Sequence, residues 1–164
     1  VSIAYYVNVT VHVLSAMLWL GGMLFLGLVG APVLRAVEPA ELRQRLFSDL
    51  GRRFRTVGWV AIALLIITGI GNLHFRGLLQ WSGVLGASEF WRTTYGVALA
   101  VKLAGVTAMI AISAVHDFII GPRAVTARPG SSEAQGLRRQ AALIARINAI
   151  VALLVVIAAV RLAR

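Results

Sequence analysis

TVGWVAIALLIITGIGNLHF, residues 56–75, runs for twenty positions without a formal charge and follows directly on Arg52-Arg53-Phe54-Arg55. As a helix rising about 1.5 Å per residue, it is about 30 Å long, the thickness of a hydrocarbon core. A helix satisfies its own backbone polar groups, which lipid cannot do. The uncharged run sets one span at about 57–75, and three similar stretches occur at about 4–33, 95–116 and 141–160. The reading is all-α: a four-helix transmembrane bundle, up and down, forming one domain over residues 1–164. The first stretch is read as a span and not a cleaved leader, being too long and lacking a basic start.

Composition agrees. Hydrophobic residues make up 59% of the chain and mean hydropathy is +0.85, beyond the range of a soluble domain. The net charge is +10, and its placement matters more than its size. Arg35, Arg43, Arg45, Arg52, Arg53, Arg55, Arg123, Arg128, Arg138 and Arg139 fall in the two connections expected on one side. Arg76, Arg92, Arg161 and Arg164 fall on the other. The positive-inside rule then puts both termini in the periplasm. Charge that flanks spans in this way argues against a nucleic-acid partner. With no cysteine, disulfides, thiolate metal sites and c-type haem attachment are excluded within these residues.

In lipid, polar and small residues mark the helix faces that pack. Asn8, His12, Ser15, Trp19 and Gly22 recur at spacings of three and four, and so share one face. Tyr95, Lys102, Gly105, Met109 and His116 form a second such stripe. Lys102 is the only lysine, and no acidic residue is expected at its depth. It is expected to face the interior and neutralise a ligand anion or a polar cluster.

Counted inward from the connection Arg35–Arg55, His12 and His74 climb to about the same height near the outer face. Neutral imidazole is a good axial ligand, and two at one depth suit a b-type haem. His12 and His74 would be the metal ligands. Gly71, one turn before His74, would leave room for a flat ring, and Trp19 would pack along its edge. Arg76, Arg92 or Lys102 would meet the propionates.

Residues 38–55 read as a short amphipathic helix lying on the membrane surface. Leu42, Leu46, Phe47, Leu50 and Phe54 would face the bilayer, with the arginines beside anionic lipid. The outer loop, with Trp81, Phe90, Trp91 and Tyr95, reads as an aromatic belt or a lid. His116 is expected to cap its helix, Arg146 to pair with Asp117, and Pro129-Gly130-Ser131-Ser132 to lie in a loop.

Three ordered patterns carry a family resemblance. They are His12-x6-Trp19-x-Gly21-Gly22 followed by Pro32 and Arg35, then Arg53-Phe54-Arg55 with Thr68-Gly69-Ile70-Gly71-Asn72, then Tyr95-Gly96-x5-Lys102-Leu103. Together they resemble the copper-resistance D (CopD) family of bacterial inner-membrane proteins, over about two thirds of the chain. The start and the intramembrane lysine are also similar to HemJ-type protoporphyrinogen oxidases. Those proteins bind haem b and depend on a histidine and a lysine, here matching His12 and Lys102. The resemblances imply a multi-pass protein of the bacterial inner membrane.

Three functions follow. The first is a haem b protein in electron transfer, with a quinone or redox protein as partner. The second is copper transport or resistance, although Cu(I) prefers thiolate and thioether and only Met17, Met23 and Met109 are present. The third is an accessory subunit of a larger complex or oligomer. An enzyme is conceivable only through the haem itself.

Overall fold

The computed structural model describes residues 2–80, 83–128 and 130–162, so Trp81, Pro129 and Arg164 lie outside it. It contains four long helices: α1 (Ile3–Arg35), α2 (Ala40–Phe75), α3 (Thr94–Thr126) and α4 (Ser132–Leu162). Each is long and apolar enough to cross a membrane, and the described residues contain no strand. The all-α transmembrane reading therefore holds. The protein is a multi-pass membrane protein whose solvent is lipid, consistent with the many large apolar side chains left exposed on the outside of the bundle.

Side-chain caps start two of the helices. Ser2 Oγ accepts from the Tyr5 amide at 3.3 Å, and Thr93 Oγ1 from the Gly96 amide at 3.0 Å. Both α1 and α3 widen into a π turn before their last segment, at Leu26–Gly30 and His116–Ile120. The cause is local. Pro32 and Pro122 follow at once; each lacks an N–H and crowds the carbonyl four residues back, and the wider turn relieves the crowding.

One expectation fails. The arginine-rich segment after Pro39 is not a separate helix on the membrane surface. It is the first part of α2, continuous from Ala40 to Phe75. Its apolar face packs on protein. A Cβ at Gly22 would run into the Phe54 ring, and Leu50 lies 3.8 Å from the Cβ position of Gly30. Gln44 Nε2 donates to the carbonyls of Val125 at 3.3 Å and Ala127 at 3.0 Å, which ties α2 to the end of α3. An amphipathic stripe has the same period whether it meets lipid or a neighbouring helix, so the sequence did not separate the two.

The helices pack as two antiparallel pairs, α1 with α2 and α3 with α4. The pairs meet around Trp19, Ala61, Ile62, Met109 and Ala152, which draw on all four helices. The pairs are copies of one plan. The two π turns are ninety positions apart, as are Pro32 and Pro122. The same offset relates Tyr5 to Tyr95, His12 to Lys102, Trp19 to Met109, Met23 to Ser113 and Gly58 to Asn148. Register agrees as well. In the first pair, Tyr5 packs on Phe75 and His12 meets Thr68; in the second, Gly105 abuts Val155 and Ser113 meets Asn148. Shifted by ninety, the two sets of pairings coincide to within a residue.

Candidate functional site

The first stripe turns inward: Ser15 and Trp19 are buried, and Asn8, His12 and Gly22 half-buried. Asn8 Nδ2 donates to the Thr68 carbonyl and to Asn72 Oδ1, both at 2.9 Å. The glycines of α2 make this possible. A Cβ on Gly71 would lie 2.5 Å from Asn8 Oδ1, and one on Gly69 would lie 3.7 Å from His12 Cε1. The space beside Gly71, expected to admit a flat ligand, is therefore taken by the Asn8 amide.

His12 Nδ1 lies 2.8 Å from Thr68 Oγ1. The Thr68 hydroxyl donates its single proton to the Leu64 carbonyl at 2.5 Å. The hydroxyl must then accept from His12, so Nδ1 carries the imidazole proton. Nε2 then carries the ring's lone pair, and the Leu65 carbonyl also lies beside the ring. This is how a metal-binding histidine is held: one nitrogen fixed by a relay to the backbone, the other carrying the lone pair.

His74 is not part of this layer. His12 faces Thr68, and His74 lies six residues further on, about 9 Å along the helix and roughly a third of a turn around it. Its ring is exposed and sits edge-on to Phe75, centroids 5.8 Å apart. The expected His12–His74 pair fails because α2 begins at Ala40. The turn between α1 and α2 is therefore short, and counting from Val57 set His74 too low.

The remaining expected residues divide. Trp19 is 4% exposed and lies against Gly58, within the apolar core. Lys102 is half-buried on the inward stripe of α3, within electrostatic reach of His12 and of Arg76, and makes no salt bridge among the described residues. Arg76 donates to the Leu162 carbonyl at 3.0 Å and to the Tyr95 hydroxyl at 3.2 Å, with its guanidinium 5.8 Å from that ring. It ties the end of α2 to α3 and α4. Arg92 is turned outward with Glu89, 4.0 Å away, both side chains 80% exposed. The connection between α2 and α3 is partly a plug: Leu78 and Phe90 bury themselves with Ala98, Leu99 and Leu162.

A second polar layer, toward the arginine-rich end, escaped the sequence reading. Asn148, 4% exposed, donates to Ser113 Oγ at 3.0 Å and to Met23 Sδ at 3.8 Å. Beyond it, Asp117 accepts from Trp59 Nε1 at 2.9 Å and meets His116 Nδ1 at 2.9 Å. Arg146, expected to pair with Asp117, is exposed and makes no salt bridge among the described residues. The ninety-residue offset was the signal available in the sequence, since it aligns Met23 with Ser113 and Trp19 with Met109. Among the described residues, no three His, Cys, Asp or Glu side chains converge as metal ligands. The donor set does not fit a bis-histidine haem, because the second imidazole is elsewhere.

The family model described as copper resistance protein D matches residues 48–162. The chain belongs to the copper resistance protein D family. This CopD match starts within α2, so His12, Trp19 and Met23 on α1 lie outside it. The chain is also similar to an uncharacterised protein of Aquifex aeolicus (strain VF5), 34% identical over 115 residues, which cover 70% of this chain and 68% of the relative. No solved structure matches. Kinship with the HemJ type does not emerge from these comparisons, whereas the CopD likeness does.

Proposed function

We propose that this chain binds copper inside the membrane, with His12 as a ligand through Nε2, and so serves copper handling or transport. One observation carries the reading: the relay His12–Thr68–Leu64 orients the imidazole of a half-buried residue and leaves the ring's lone pair on Nε2. Family membership supports copper as the metal. Neutral imidazole suits copper in either oxidation state. The Lys102 ammonium acts on the same ring and disfavours a bare cation there. A copper ion that keeps an anionic ligand meets no such objection, and the lysine then neutralises that ligand.

The test is Cu(I) titration of the purified detergent-solubilised protein against a chromophoric chelator. Wild type is expected to bind, His12→Ala to lose at least tenfold in affinity at that site, and His74→Ala to match wild type. A wild-type protein that binds no Cu(I), or one purified with a Soret band, would overturn the reading.

A further inference from the structure

Asn148 is 4% exposed, and its Oδ1 is buried with no hydrogen-bond partner. An orphaned amide oxygen in an apolar bundle is costly, and native proteins rarely keep one without a use. Its surroundings narrow that use. The amide nitrogen leans on Met23 Sδ, while Met109, 9% exposed, and Trp19 fill the core against which Met23 packs. The walls are Ala61, Ile62 and Ala152. Thus both thioethers and the indole belong to one apolar cluster, and the Asn148 amide leans on one of the thioethers. The internal repeat gives a reason: Trp19 and Met109 are equivalent positions of the two helix pairs, as are Met23 and Ser113, so each set approaches the middle of the bundle from both sides.

Thioethers are soft donors that select Cu(I) over harder ions, and an indole face attracts a cation strongly once water is excluded. We propose that Met23 and Met109, with the Asn148 amide and the indole of Trp19, form a second, thioether site for Cu(I) in the middle of the bundle. It lies about 10 Å along the axis from His12, the rise of the seven residues from His12 to Trp19. All of its donors are neutral, so a monovalent ion enters without proton release and without change of oxidation state. This inference rests on the copper reading above and adds a second station to it.

Ag(I), a redox-inert stand-in for Cu(I), tests it on the whole protein in detergent. Wild type is expected to bind two Ag(I) per chain, with both sulfur and nitrogen scatterers in the silver X-ray absorption spectrum. Met23→Leu/Met109→Leu, close in volume to the native pair, is expected to bind one and lose the sulfur signal. His12→Ala should lose the other ion and keep the sulfur. Met17→Leu, at a side chain 65% exposed toward lipid, should behave as wild type. Circular dichroism melts confirm that each variant is folded, and Met23→Leu alone replaces the double variant if that one is not. A folded double variant that keeps both ions and the sulfur signal overturns the inference. So does a wild type with one nitrogen-bound ion only, although the copper reading then survives. A wild type that binds no Ag(I) or Cu(I) defeats both.

Discussion

The two helix pairs share a backbone plan and divide the chemistry. In α1 and α2 the polar groups gather near the end of the bundle that holds the α2–α3 connection: Asn8, His12, Thr68 and Asn72. Their counterparts in α3 and α4 are Ala98, Lys102, Ala158 and Leu162, which leave one charge and no hydrogen-bond relay. Nearer the arginine-rich end the bias reverses. There the second pair offers Ser113, Asp117 and Asn148, against Met23, Gly27 and Gly58 in the first. The helices keep their register through small residues at contacts, and a handful of substitutions then makes each depth chemically distinct. Scaffold and site are thus separable here: the second pair keeps the same register with alanine or leucine at the positions of Asn8, Thr68 and Asn72.

The comparison can be broken most forcefully at a glycine. A Cβ on Gly96 would overlap the Phe90 carbonyl and approach the Trp91 backbone, neither of which is a side chain that can swing away. Gly96→Ala is expected to destabilise the folded protein by about 1–3 kcal/mol or more. Its counterpart Tyr6 is 60% exposed, and Tyr6→Ala should stay within about 0.5 kcal/mol. Equal losses in thermal melts would contradict the asymmetry between the pairs.

Next in size is the relay. Thr68→Val keeps shape but removes the acceptor for His12 Nδ1, freeing the ring to turn. Copper affinity should fall about 10–100-fold, the usual cost of losing a supporting hydrogen bond. The counterpart Ala158→Val should leave affinity unchanged, as read in the same chelator competition. A Thr68→Val protein with native affinity would mean that something else orients the imidazole.

Smaller still is Asn8→Ala, which removes two hydrogen bonds to α2. Interhelical hydrogen bonds in membranes average only about 0.6 kcal/mol, so a loss of about 1 kcal/mol is expected in denaturant unfolding. The second pair has Ala98 at this position already. The last test alters no energy and concerns orientation. Cysteine introduced at Ser88, in the outer connection, should react with an impermeant thiol reagent in intact cells, and cysteine at Ser132 should not. The reverse pattern would invert the assigned topology.

The sequence made the fold legible because lipid imposes a length, and four uncharged runs met it. Both inward stripes were legible too, since every polar residue inside a span must face protein. What was hidden came from two causes. The helix read at 38–55 and the span read at 57–75 are one helix with no break between them, and reading them apart passed an error straight into the His74 pairing. The repeat was hidden because few identities survive, Tyr5 with Tyr95, Val11 with Val101 and Pro32 with Pro122 among them. Without it, Met23 and Met109 are only two of three scattered thioethers, and not positions one turn apart in the two repeated pairs.

The π turns at Leu26–Gly30 and His116–Ile120 have a consequence for how α1 and α3 are phased. Each takes up about one residue more per turn than an α-helix does, so the segments on either side of it are out of step. Deleting one residue there would restore ordinary winding with the flanking segments facing as before, whereas deleting one from the α-helical stretch between the wide turn and His12 or Lys102 would rotate one side against the other by about 100°. His12 or Lys102 would swing off the bundle axis while every side chain kept its neighbours along the chain. The wide turns, 14 to 18 residues from His12 and Lys102, are therefore the places where each helix can lose a residue without turning the groups that face the bundle.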